Sequence, residues 1–134
     1  MPFVLDASVT LAWALADEED ALADRAFAAM RTDPAVVPAL WWFEIRNSLL
    51  TAERRSRLSI ADVTRVLGDL ARLPIALDRD PDESLLLSVA RRRRLTVYDA
   101  AYLELALRHA LPLATLDRQL AAAAQAEGVD LLAA

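Results

Sequence analysis

Four acidic residues stand where a chain of alternating strands and helices could do chemistry. Asp6 directly follows the apolar run 3–5, Glu44 lies early in an apolar helical segment, Asp99 opens another, and Asp117 follows a run ending at Thr115. Carboxylates gathered at one point repel, so at neutral pH either some stay protonated or a cation joins them. Ligands made only of oxygen suit Mg²⁺ or Mn²⁺, which keep several waters and bind through few carboxylates together with substrate phosphate oxygens. Each acid taken singly also has a structural reading. Asp6 or Ser8 could cap the first helix, Asp117 the helix beginning at Arg118, and Asp99 could complete a capping box with Thr96, while Glu44 could lie on a wet face. Taken as a set, they favour a shared metal site.

Composition removes most competing chemistries. The chain has 134 residues, no cysteine, no lysine, two glycines (Gly68 and Gly128) and one histidine, His109. Disulfides, thiolate zinc sites, cysteine nucleophiles, a P-loop and a three-glycine dinucleotide fingerprint are therefore excluded. His109 sits near a helix end, where a cation suits the dipole, and reads as structural or surface. A net charge of −5 argues against general attraction to nucleic acid. The arginine clusters at 54–57 and 91–94 soften that argument, although solvated helix ends explain them equally well. No basic leader precedes a long apolar run and no uncharged stretch reaches membrane length, so the expectation is a soluble, cytoplasmic protein with no membrane partner.

The elements that must position the acids follow from periodicity. Short apolar runs at 3–5, 35–38, 75–77, 111–115 and 129–132 read as strands. Helices are expected at 7–16, 21–31, 39–55, 59–73 with Ser59 as N-cap, 82–94, 98–110 and 118–127, the last ended by Gly128. Strands alternating with helices predict right-handed crossovers and an α/β fold of three α/β/α layers, with a central, mainly parallel sheet of about five strands. Residues 1–134 read as a single domain. Ligands of such sheets gather beyond the carboxyl ends of the strands, where strand order reverses. Glu44 carries a further expectation. Leu40, Asn47, Ser48 and Thr51 share its helical stripe between apolar flanks, so both flanks should be buried and the stripe should line a cleft.

The segments FVLDAS, VPALWWFEIRNSLL, LTVYDAAYLELA and LPLATLDRQL, in this order and spacing, resemble the PIN-domain ribonucleases, specifically the VapC-type toxins of toxin–antitoxin pairs. The resemblance implies that Asp6, Glu44, Asp99 and Asp117 are catalytic acids that bind Mg²⁺ or Mn²⁺, with Ser8, Asn47 and Thr115 as supporting polar groups. It implies hydrolysis of RNA phosphodiester bonds by water, a homodimer, and a small antitoxin protein as partner. Residues 60–78 carry no family motif. The chain is 56% hydrophobic against a usual 45–50%, and that surplus suggests covered interfaces. Adjacent Trp41 and Trp42 point about 100° apart on a helix, so one could serve the core and the other a partner, or both the core.

Other α/β readings fit less well. A response-regulator receiver needs a lysine that the chain lacks, and a haloacid-dehalogenase-like phosphatase wants an acid where Ser8 stands. A nuclease of the same fold acting on DNA or on a particular nucleic-acid structure, or a binding module without activity, is the remaining alternative.

Overall fold

The computed structural model describes residues 1–15 and 20–133. Its elements run β1 (Phe3–Leu5), α1 (Ala7–Ala14), α2 (Ala21–Ala29), β2 (Ala35–Pro38), α3 (Leu40–Arg54), α4 (Ile60–Ala71), β3 (Ile75–Asp78), α5 (Glu83–Arg93), α6 (Val97–His109), β4 (Leu113–Ala114) and α7 (Arg118–Ala126). The expected first helix therefore ends at Ala14, and the last residue assigned to it, Ala16, lies outside the described residues.

The strands form one parallel sheet in the order β3-β2-β1-β4. The α/β expectation holds, with four strands rather than five. The run 129–132 contributes only a single bridge, Leu131 beside Leu113. β4 is two residues long, and Leu113 alone supplies that edge, donating its N–H to the Asp130 carbonyl and accepting the Leu132 N–H at its own carbonyl, both at 2.9 Å. A strand so short offers no second pair of groups for the pairing to extend along.

Phe3, Val4 and Leu5 are all buried, so successive side chains of β1 are covered on both faces. Val37 on β2, Ile45 and Leu49 on α3, and Leu103 and Leu105 on α6 complete the same core. Each such side chain contributes roughly 1.5–3 kcal/mol by leaving water. Helix ends are set by local chemistry. Ser59 caps α4 through a full capping box with Asp62, and Asp20 and Asp82 cap α2 and α5 by accepting from backbone N–H groups.

α3 departs from expectation. Trp41, Ile45, Leu49 and Ala52 form its buried line, and Trp41 Nε1 donates to Thr10 Oγ1 at 3.1 Å. The opposite flank is open: Trp42 is 41% exposed, Phe43 69% and Leu50 39%. α1, α4 and β2 pack against this helix. Among the described residues no element covers the Phe43 and Leu50 line, so apolar residues flank both sides of Glu44 but only one side is buried.

Below β3, Arg108 of α6 binds both Asp78 oxygens at 2.9 and 3.0 Å and Glu104 at 2.7 Å. Glu104 is fully buried and also accepts the Asp82 N–H at 2.9 Å. One ion network thus joins the end of β3, the start of α5 and the body of α6. His109 lies at its edge, 3.3 Å from Asp78, in keeping with a structural role.

Candidate active site

The chain passes from β1 to β2 to β3 in one direction and then places β4 on the other side of β1. The reversal between β1 and β4 makes their carboxyl ends the expected ligand crevice. Leu5 pairs with Ala114, so Asp6 and Thr115 leave the sheet side by side.

Asp6 occupies the N-cap position of α1, yet its side chain makes no capping bond. One of its oxygens, Oδ2, instead accepts from Ser8 Oγ at 2.6 Å and from Thr115 Oγ1 at 2.7 Å. Both hydroxyls are themselves held from behind, Ser8 by the Leu116 N–H and Thr115 by the Asp117 N–H, each at 3.0 Å. Each hydroxyl therefore receives one proton and spends its own on Asp6. Oδ1 has no donor among the described residues. The acid is fixed through one oxygen and open through the other.

Asp117 is the N-cap of α7 and accepts the Leu120 N–H through Oδ1 at 3.0 Å, so its structural reading is correct as far as one oxygen goes. Asp99 lies in the first turn of α6. Thr96 caps that helix by accepting the Asp99 N–H at 3.1 Å, which is half of a capping box. At Ser59 and Asp62 both halves form, whereas at Thr96 and Asp99 only the bond from the Asp99 N–H to the Thr96 side chain does. Glu44, half-buried on α3, is reached from α6 by Tyr102, whose hydroxyl donates to Oε1 at 2.7 Å.

Electrostatics ties the four together. Burial raises the Asp6 carboxyl above its ordinary pKa, the Ser8 and Thr115 hydroxyls oppose the rise, and the charges of Asp99 and Asp117 add to it. Burial also raises Glu44, against the Tyr102 hydrogen bond and with the charges of Asp6 and Asp99. Asp99 is raised by burial and then by Asp117, with Thr96 opposing. Tyr102 is driven far above an ordinary phenol by burial and by Glu44, so it stays protonated as a donor. The starts of α1, α6 and α7, whose dipoles favour anions, face the same end of the sheet.

A divalent cation fits this donor set. Among the described residues no three acids converge as a ready-made metal cage. Mg²⁺ does not require one, since it is usually held by one or two carboxylates, waters and substrate phosphate oxygens. The mutual repulsion of acids near enough to perturb one another, and the open oxygen of Asp6, are what a bound cation would relieve.

Of the supporting residues expected from sequence, Ser8 and Thr115 join the site. Asn47 does not: it is exposed one turn beyond Glu44 and has no hydrogen-bond partner among the described residues. Ser48 and Thr51 of the same stripe line a separate shallow groove with Leu11 of α1 and Leu15 just beyond its end. Tyr102 escaped the sequence reading, although a tyrosine in a largely apolar helix one turn after Asp99 was the available signal.

A family model described as PIN domain matches residues 3–126. Among solved structures, PAE2754 from Pyrobaculum aerophilum is 29% identical, covering 92% of this chain and 79% of its own at a TM-score of 0.71. VapC20 of Mycobacterium tuberculosis, a toxin that cleaves the sarcin–ricin loop, is 14% identical, covering 90% of this chain and 94% of its own at a TM-score of 0.56. No curated protein matches the sequence.

Proposed function

Because the chain belongs to the PIN-domain family, we propose that it is a metal-dependent endoribonuclease, acting as the toxin of a toxin–antitoxin pair through one nuclease domain spanning residues 1–134. The observation that carries this reading is Asp6, clamped by two hydroxyls at the switch point and electrostatically coupled to Glu44, Asp99 and Asp117. These four acids would hold Mg²⁺ or Mn²⁺, and a bound cation lowers the pKa of water and neutralises charge on phosphoryl oxygens. Ser8 and Thr115 keep Asp6 oriented with one oxygen outward, and Tyr102 does the same for Glu44. One of the carboxylates accepts the proton of the attacking water. The helix starts at Asp6, Asp99 and Asp117 supply backbone dipoles that draw a phosphate towards the acids despite the net charge of the chain.

The toxin assignment follows the resemblance of the motifs to VapC-type proteins and brings with it an RNA substrate and a small antitoxin. The open flank of α3, with Trp42, Phe43 and Leu50 exposed, supports a protein partner or a second copy, and a homodimer is the assembly we propose. Sedimentation giving only monomer at micromolar concentration would contradict the dimer.

The deciding experiment measures cleavage of a structured RNA with Mn²⁺, with EDTA, and with Asp99→Asn. Loss of activity under both perturbations is expected, roughly a hundredfold or more for the variant. Activity that survives both would sink the metal mechanism. Substituting a 2′-deoxy nucleotide at the cleaved position separates RNA from DNA specificity, since the proposed water attack needs no 2′-hydroxyl and selectivity for RNA must then arise from binding.

A further inference from the structure

A pocket of about 330 Å³ opens at the starts of α3 and α6, walled by Pro38, Leu40, Leu86, Val97, Tyr98 and Leu105. It shares the opening turns of two helices with the site. Leu40 lies one turn before Glu44 on α3, and Val97 and Tyr98 immediately precede Asp99 on α6. Three of the charged groups that line it are already engaged: Arg108 binds Asp78 and Glu104, and Glu104 holds the Asp82 N–H. An apolar-faced guest therefore fits it better than a charged one.

Two features of its rim narrow the guest. Tyr98 is 68% exposed, an aromatic ring left in water beside an apolar slot. Arg79, also lining the pocket, is exposed and has no side-chain partner among the described residues. An aromatic face, a flat apolar slot and an unspent guanidinium, next to acids that would meet a phosphodiester, match a nucleobase on its sugar–phosphate chain. The base would stack on Tyr98 while its phosphate meets Arg79. A protein side chain would fill the slot equally well by volume. Charge complementarity between Arg79 and a polyanion, and the opening turns of α3 and α6 that the pocket shares with Glu44 and Asp99, favour the base.

We propose that this pocket seats the nucleobase flanking the cleaved bond, with Tyr98 as its stacking platform, and so sets the base preference of cleavage. The proposal rests on the nuclease reading. Its test uses two readouts so that the two can fail separately. Cleavage of a random-sequence RNA pool, with the ends sequenced, is compared for the wild type, Tyr98→Ala, Tyr98→Phe and the pocket-filling Ala101→Leu. In parallel, short RNAs carrying 2-aminopurine at successive positions are bound to Asp99→Asn protein, with and without the Tyr98 changes, and stacking is read as fluorescence quenching.

Expected results are a base preference at one flanking position, flattened in Tyr98→Ala and Ala101→Leu and kept in Tyr98→Phe, with KM raised roughly tenfold in Tyr98→Ala. Quenching at that position should vanish in Tyr98→Ala and persist in Tyr98→Phe. Quenching that follows Tyr98 in this way without any RNA cleavage by the wild type supports the pocket and removes the nuclease reading alone. Preference and quenching both unchanged in Tyr98→Ala and Ala101→Leu would overturn the proposal and leave the pocket to a protein partner.

Discussion

Tyr102 joins two helices at the scale of a single atom pair, and its proton is the group that orients Glu44. Tyr102→Phe keeps the buried ring and removes only that donor. The expected result is a stability loss of about 1–2 kcal/mol by denaturant titration, because a half-buried carboxylate loses its hydrogen bond. A loss of roughly tenfold in Mn²⁺ affinity or cleavage rate should accompany it, as outer partners of metal ligands commonly cost that much. Unchanged Mn²⁺ affinity would show that Glu44 needs no such support. The placement of the four proposed acids was legible in sequence because each falls at a strand end or near a helix start, which local pattern locates. Tyr102 was not, because its partner is 58 residues away and only the tertiary fold brings the two side chains together. Asn47 stands exposed one turn along, and sharing a helix stripe with Glu44 says nothing about how far along the stripe the site extends.

At the scale of elements, the order of strands and helices was readable because β-branched runs and helical periodicity alternate without long loops. What periodicity could not supply was the partner of each element. The run 129–132 has strand composition but meets an edge only two residues long. α3 has two apolar flanks, yet chain connectivity covers one. The network of Arg108, Asp78, Glu104 and Asp82 is also invisible in sequence, since it spans β3, α5 and α6. Arg108→Ala would leave Glu104 buried with the Asp82 N–H as its remaining donor, and should cost about 3–5 kcal/mol in chemical denaturation. A loss below about 1 kcal/mol would mean that the network carries little of the stability of the fold.

For the whole molecule, two sets of carboxylates pull the pH dependence in opposite directions. Asp78 is lowered to about 2 by Arg108, and Glu127 to about 2 by Arg92 and Arg93. Their contribution is present above the unfolded carboxylate values, about 4, and is lost as pH falls towards 2. Asp6, Glu44 and Asp99 are raised in the folded state, so the folded protein holds their protons more tightly and stability falls as pH rises through their folded values. Without divalent cations, these two sets together should make stability greatest near the unfolded carboxylate values, about pH 4, and lower above them. Mn²⁺ should raise the melting temperature at about pH 7 more than at about pH 5, by stabilising the ionised acids of the folded state. A melting temperature at neutral pH indifferent to Mn²⁺ would contradict the metal site.

The clasp between α5 and α7 also limits how the protein can respond to ionic strength. Arg92 grips Glu127 at 2.8 and 2.6 Å, and Arg93 reaches the same carboxylate at 2.6 Å. Of the run 91–94, only the outer pair, Arg91 and Arg94, has side chains unengaged among the described residues. Four consecutive arginines would suggest release of about four condensed counterions from a nucleic acid, but this clasp leaves at most two. For a single strand, each contributes a slope of about −0.7 in log affinity against log salt, so the run should account for no more than about −1.4. Titrating RNA affinity across salt concentrations, with Arg91 and Arg94 changed to alanine and separately with Arg92 and Arg93 changed, would locate that slope in the outer pair. The inner arginines should register as a loss of fold stability and leave the salt slope as it was.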